Sequence, residues 1–141
     1  MIDEEIVAFI NENKVATICT SNSDAPYCFN CYFSFLEKEG ILVFKSSGLT
    51  KHDKMLQENA KIAGTIIPEK VDVVSIRGIQ LEGVLLNENI ELGLKSSTSY
   101  YLKYPFAMAM PGKLFAIQID KMKFTDNTRG FGFKQSWERF F

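Results

Sequence analysis

A hydroxyl-rich segment beside basic residues, 44–52 (FKSSGLTKH), contains the residue types that bind phosphate groups. The start of a helix presents unpaired backbone N–H groups, hydroxyls add short donors, and a lysine adds a full positive charge. The candidate phosphate ligands are Lys45, Ser46, Ser47, Thr50, Lys51 and His52. An ordinary capped surface helix with a solvated lysine has the same composition, so both interpretations stay open at this level.

The cysteines offer a second chemistry. Cys28 and Cys31 form a C-x-x-C motif, which is typical of zinc or redox sites. Both lie in an aromatic-rich segment predicted to be a strand, where residues three apart point to opposite faces. Cys19 has no C-x-x-C partner either. We therefore interpret all three cysteines as buried or half-buried structural thiols, and their odd number argues against a disulfide framework.

The single histidine, His52, excludes a multi-histidine metal site and limits any nucleophilic triad to this one residue. No G-x-S-x-G elbow accompanies it, which disfavours hydrolase chemistry. The GFG segment at 130–132 resembles part of a dinucleotide-binding fingerprint, but the third glycine and the βαβ setting are missing. Near the carboxyl end, Trp137, Phe140 and Phe141 are suited either to stacking on a planar ligand or to packing in a subunit contact.

The composition is that of an ordinary globular protein of 141 residues, with 46% hydrophobic and 23% charged residues. The formal net charge of -1 disfavours nucleic acid and anionic membranes as partners. The first residues are acidic and amphipathic, unlike a positively charged signal peptide, and no apolar run approaches the ~20 residues of a membrane span. We therefore expect one cytoplasmic domain over residues 1–141.

Periodicity places the candidate residues on short strands and helices. Helices are predicted over residues 3–13, 50–58 and 89–104. Strands are predicted over residues 14–20, 27–36, 41–45, 61–67, 71–86 and 113–119, the last with a continuation over 121–125. Thr50 and Asp53 imitate a capping box, and Gly78 and Gly83 predict a bulge or a sharp bend in the fifth strand. Residues 21–26 (SNSDAP) are predicted to form a turn.

The order of these elements predicts an α+β fold that is mainly β. Six short strands follow one another mostly in sequence, with helices inserted between them, which is typical of a six-stranded antiparallel barrel. The strands do not alternate regularly with helices, which argues against a parallel doubly wound sheet.

The chain resembles the pyridoxamine 5′-phosphate oxidase-like FMN-binding split barrels, and within them a short bacterial branch. The segments that carry the resemblance are FKSSGLTKHDKMLQENAKIAGTI, SIRGIQLEGVL, YLKYPFAMA and KFTDNTRGFGFKQSW. They follow the family's order of elements over nearly the whole chain. The resemblance implies a six-stranded antiparallel split β-barrel with a few short helices, and FMN as the cofactor.

In that family the third strand and the following helix start hold the FMN phosphate, which matches the hydroxyl and basic residues of segment 44–52. The resemblance extends the candidate cofactor site to Phe29, Asn30, Cys31, Arg77, Gln80 and Trp137. The second strand is expected to run along the isoalloxazine ring, and the fifth strand to reach the flavin across a homodimer. His52 stands where the oxidases commonly have lysine, so phosphate affinity is expected to depend on pH.

The resemblance implies a flavin-dependent oxidoreductase of unknown substrate, because in such a site the flavin transfers hydride or electrons and the protein positions it. A nicotinamide nucleotide is a candidate reductant. The basic residues near the carboxyl end of the longer oxidases have no match here, which disfavours oxidation of pyridoxamine phosphate. Two alternatives stay open: a flavin- or haem-binding carrier or sensor without turnover, and a barrel without cofactor that serves as an interaction domain.

Overall fold

Antiparallel strands make up most of the structure, a computed structural model that describes residues 1–140. Phe141, part of the aromatic end noted above, lies outside the described residues. Over residues 1–140 the elements are α1 (Glu4–Glu12), β1 (Val15–Asn22), β2 (Ala25–Leu36), β3 (Ile41–Ser46), α2 (Lys51–Glu58), β4 (Lys61–Ile66), β5 (Arg77–Leu85), α3 (Ile90–Lys103), β6 (Lys113–Asp126) and β7 (Lys134–Glu138). Short 3-10 turns occupy Pro105–Ala109 and Asn127–Arg129.

The strands close into a ring. Their order is β3-β2-β1-β4-β5-β6, and a further pairing of β3 with β6 joins the two ends, so that the first six strands form a closed circuit. The long strand β6 makes this closure possible, because residues 113–118 pair with β3 while residues 117–126 pair with β5. The predicted α+β, mainly β class is confirmed, and the ring corresponds to the predicted split barrel.

The ring encloses an aromatic core sealed by helices at its ends. Phe33, Phe44 and Phe124 are almost fully buried inside it. Helix α1 adds Ile6 and Phe9 to the same cluster, and the Phe9 and Phe124 ring centroids are 5.0 Å apart. Each such side chain contributes about 1.5–3 kcal/mol when it leaves water. Helix α2 lies at the opposite end, where Thr20 Oγ1 of β1 donates a hydrogen bond to Met55 Sδ and Leu56 joins the same cluster.

A tight hairpin joins β1 and β2. Ser23 and Asp24 both have positive φ angles, 49° and 66°, and Asn22 pairs with Ala25 on either side of them. Two consecutive left-handed residues match the twist of the flanking strands. The turn is therefore two residues long and not the whole of residues 21–26 as predicted, so both strands extend further.

A bulge between Glu82 and Gly83 bends β5, as the glycines of the fifth strand predicted. A Cβ atom at Gly83 would lie 2.2 Å from the backbone oxygen of Gln118, which no side chain tolerates.

Helix α3 packs outside the ring, where Tyr100 and Tyr104 belong to a second apolar cluster with β3. Among residues 1–140, no helix has the length and apolar content that a bilayer span requires.

Strand β7 is an element that the sequence did not predict. It pairs with β6 outside the ring, and its side chains alternate between exposed and half-buried. Arg139, just beyond it, donates hydrogen bonds to the backbone oxygens of Ile119, Glu39 and Gly40 at 2.9–3.0 Å. The segment after β6 is therefore fastened to the β2–β3 hairpin.

Candidate functional site

A buried carboxylate, Asp53, organises the loop between β3 and α2. Its Oδ2 atom accepts hydrogen bonds from Ser46 Oγ at 2.7 Å, from Gly48 N at 2.8 Å and from Thr50 N at 3.4 Å. Thr50 Oγ1 accepts a hydrogen bond from Asp53 N at 3.1 Å in return. This reciprocal pair confirms the capping box that the sequence indicated. The loop is thus shaped by the protein itself.

The charge of Asp53 is stabilised where it lies. Burial alone would raise the pKa of this carboxyl, but hydrogen bonds from Ser46, Thr50 and Gly48, with His52 nearby, together hold the pKa below its ordinary value. Its side chain has no exposed surface. The carboxylate therefore remains ionised near neutral pH, and the loop is anchored to a fixed negative charge.

His52 lies between this carboxylate and an aromatic ring. Its Nε2 atom is 3.1 Å from Ser46 Oγ and 3.4 Å from Asp53 Oδ1, and its ring stacks on Phe29 with centroids 3.7 Å apart. Burial lowers the pKa of His52, although Asp53 opposes this, so the imidazole is neutral near pH 7. Ser46 donates directly to Asp53, whereas a nucleophilic triad would place the histidine between them. The cluster is therefore a fixed scaffold and not a hydrolytic relay.

The outer side of the same helix start carries the groups that face solvent. The Lys51 side chain is exposed, and its Nζ lies 4.5 Å from the centre of the Tyr27 ring. Ser47 is exposed, and its Oγ accepts a hydrogen bond from Leu49 N at 3.1 Å, which leaves its hydroxyl proton free to donate. The first N–H groups of any helix lack intrahelical partners. Donors and positive charge at this point fit a phosphate group.

Lys45 and Arg77 are held at other places. Lys45 Nζ donates hydrogen bonds to the backbone oxygens of Ala107 and Met110, both at 2.7 Å, so its charge supports the turn after α3. Arg77 begins β5 at the end of the ring covered by α1, where its Nε lies 3.6 Å from Asp126 Oδ1. Within one chain, therefore, neither the Lys45 nor the Arg77 side chain is directed to the candidate phosphate site at the start of α2.

Cys31 and Trp137 pack against the hydrophobic core. The Cys31 thiol packs against the interior cluster, and burial raises its pKa to about 12. Trp137 pairs with Met122 across β7 and β6 and also packs against that cluster. The structure therefore brings Phe29, one of the residues proposed for the cofactor site, together with the residues of the α2 start. Cys31 and Trp137 lie apart from that group.

A row of polar side chains crosses the outer face of the sheet, and it contains the remaining two candidates, Asn30 and Gln80. Each member lies directly opposite the next in the strand register. The row, which we call the polar row, consists of Asn30, Thr17, Thr65, Gln80 and Lys123. Thr17 Oγ1 donates to Asn30 Oδ1 at 2.8 Å. The sequence did not reveal Thr17 and Thr65 as neighbours because the register of the strands was unknown.

Replacement of Asp53 tests the anchoring role of its carboxylate. Asp53→Asn removes the charge that accepts three hydrogen bonds, so we expect a loss of about 1–3 kcal/mol of unfolding free energy at pH 7. The folded-state pKa is lowered, so this stabilisation is present above the unfolded pKa of about 4 and disappears as the pH falls through the folded value. Urea denaturation of both proteins at pH 7, and again at a pH below the folded-state pKa, measures how much of this stabilisation is lost in acid. Asp72→Asn, at an exposed position, is the control; an equal loss in both variants contradicts the role.

Comparison with solved structures shows which proteins share this fold. The structure is similar to a haem-binding protein from Mycobacterium smegmatis, with a TM-score of 0.76 and 14% identity, over 93% of this chain and 56% of that one. It is also similar to an FAD-binding protein from Mesorhizobium loti, with a TM-score of 0.69 and 14% identity, over 86% of this chain and 92% of that one. These likenesses confirm the split-barrel fold.

Comparison of sequences identifies the family. A scan against protein-family models finds no match. A UPF0306 protein from Photorhabdus laumondii is 30% identical over 131 residues, which are 93% of this chain and 92% of the relative. Because this identity extends over nearly the whole of both chains, the protein belongs to the UPF0306 family.

Proposed function

We propose that the protein binds FMN as a homodimer and acts as a flavin-dependent oxidoreductase of the cytoplasm. The observation that carries this proposal is the start of α2, where exposed Lys51 and Ser47 lie outside a loop fixed by Asp53. A site that is shaped before binding loses little conformational entropy when a ligand arrives. The likeness in fold to an FAD-binding protein supports the choice of a flavin.

The residues of the α2 start have separate tasks in this proposal. Lys51 supplies positive charge, while Ser47 and the first N–H groups of the helix supply hydrogen bonds to the phosphate. Asp53 and Ser46 keep the loop in its shape, and His52 is held flat by Phe29. Bound flavin would supply hydride or electron transfer, and these residues would hold it in place.

A second copy of the chain is the partner that the outer face fits. Beside the polar row, Val15, Tyr32, Ile67 and Phe106 are 40%, 58%, 58% and 70% exposed, and they form an apolar patch of the kind that subunit contacts cover. Gln80 is exposed on this outer face. A partner on this face would bring Gln80 to the other subunit's cofactor, which agrees with the role that the resemblance implies.

A carrier of haem or flavin without turnover is the second candidate. Burial keeps His52 neutral near pH 7, and neutral imidazole is the form that ligates iron. The mycobacterial neighbour is a haem-binding protein. Titration with haem and FMN, followed by anaerobic reduction with NADH and NADPH, distinguishes the two functions. A bound flavin that accepts no electrons from either nucleotide would favour the carrier.

Replacement of Lys51 tests the phosphate site. Lys51→Ala should raise the Kd for FMN roughly 10- to 100-fold at low salt, because a charge-assisted contact contributes about 1.5–3 kcal/mol. Riboflavin lacks the phosphate, so its Kd should stay unchanged. Flavin fluorescence measures both affinities. Lys54→Ala, an exposed lysine on the same helix, is the matched control. Equal losses for FMN and riboflavin, or an equal effect of Lys54→Ala, would remove the proposed role.

The oligomeric state tests the apolar patch. Light scattering should give about twice the chain mass of 16.0 kDa for the unmodified protein. Ile67→Lys should shift the protein to the monomer, because a charge cannot be buried in such a contact without a partner. Phe131→Lys, at a position that is 99% exposed on a different segment, should leave the mass unchanged. A monomeric unmodified protein, or a dimer that tolerates Ile67→Lys, contradicts the assigned surface.

A further inference from the structure

Two cysteines that are distant in the sequence meet across the first hairpin. The register of β1 and β2 places Cys19 directly opposite Cys28. Partners in a strand ladder share one face of the sheet, so both thiols lie on the outer face of the ring. Cys19 is half-buried as predicted, but Cys28 is exposed because it lies on the outer face near the turn, so the prediction was wrong for this residue. Both thiols are free in the described residues. The C-x-x-C motif concealed this pair, because the partner of Cys28 is across the strand and not along it.

The phase of the ladder determines how closely the two residues approach. Phe33 N donates to Lys14 O at 2.9 Å, which makes this pair a hydrogen-bonded one. Hydrogen-bonded and non-hydrogen-bonded pairs alternate along an antiparallel ladder. Counting from Lys14 to Cys19 in the observed register therefore makes Cys19 and Cys28 a non-hydrogen-bonded pair. Pro26 agrees with this phase, because it has no N–H to donate and lies opposite Ser21.

Non-hydrogen-bonded pairs bring their side chains closest together. Their Cα atoms are about 4.5 Å apart, which falls within the range of about 4.4–6.8 Å that disulfides span. The two thiols already influence one another: burial, followed by the neighbouring Cys28, raises the pKa of Cys19 to about 11. The backbone need not move far for a bond to form.

We propose that Cys19 and Cys28 form a reversible cross-strand disulfide when the protein meets a small-molecule disulfide such as oxidised glutathione. The exposed Cys28 thiolate attacks one sulfur of the oxidant, forms a mixed disulfide and releases one glutathione thiolate. The Cys19 thiolate then attacks the Cys28 sulfur and releases the second. Two protein thiols are oxidised, one disulfide of the oxidant is reduced, and the two protons pass to the released thiolates.

The third cysteine provides an internal control. Cys31 lies opposite Ala16, on the face of β2 that packs against the core. It therefore has no thiol partner across the ladder. Val15, in the apolar patch assigned to the second subunit, is four residues from Cys19 along β1. This separation corresponds to about 13 Å along the strand. The cysteine pair is thus displaced from the centre of that contact.

Mass spectrometry of the native protein after treatment with oxidised glutathione tests the proposal. We expect a loss of two hydrogens per chain and two of three thiols, with reversal by dithiothreitol. Asp24 lies between the two cysteines in the sequence. Proteolytic cleavage on the amino side of aspartates should therefore give two peptides that remain joined by the disulfide. Cys31→Ala should still form the bond, whereas Cys19→Ser should stop at a glutathione adduct on Cys28.

Three results would overturn the proposal. The first is a stable glutathione adduct on Cys28 of the unmodified protein with Cys19 still free. The second is a disulfide between the Cys28 residues of two chains, visible as a dimer in a denaturing gel without reductant. The third is a bond that involves Cys31 or that survives in Cys19→Ser. Quenching in denaturing acid, followed by alkylation of the free thiols, prevents thiol–disulfide exchange during digestion. None of these three results can then be an artefact of that exchange.

Discussion

The buried charge of Asp53 is the constraint on which the proposed site depends. A carboxylate with no exposed surface remains ionised only when hydrogen bonds replace the water that it has lost. Ser46 and the backbone of the following loop provide three such bonds to Oδ2, and in doing so they adopt one shape. The same helix start then leaves its outer donors, above all Lys51, available to an anion. The inner charge orders the loop, and we propose that the outer charge binds the phosphate.

The ring divides the molecule into an apolar interior and an outer face that carries polar and exposed apolar side chains. Aromatic residues fill the interior, and α1 and α2 cover its two ends. On the outer face, the polar row and the apolar patch lie side by side. This arrangement explains why the candidate residues fall into separate groups within one chain. A site shared between two copies would reunite Gln80 with the α2 start.

The sequence predicted the elements well because each has a local signal. Apolar spacing indicated α1, aromatic alternation indicated β2, and the Thr50 and Asp53 pair indicated the start of α2. Contacts across strands had no such signal. The polar row and the Cys19–Cys28 pair depend on register, and register here depends on a turn that is two residues long and not six. Strand β7 was missed because five residues between glycines and charges carry little periodicity.

Nuclear magnetic resonance of the backbone amides tests the central claim most directly, since it locates the anion without any mutation. On addition of FMN, the amide signals of Lys51 and His52 should shift strongly, because their N–H groups would donate to the phosphate. Riboflavin should leave these two signals nearly unchanged. If FMN binds and the two signals remain in place while others move, the phosphate lies elsewhere and the account of the α2 start is wrong.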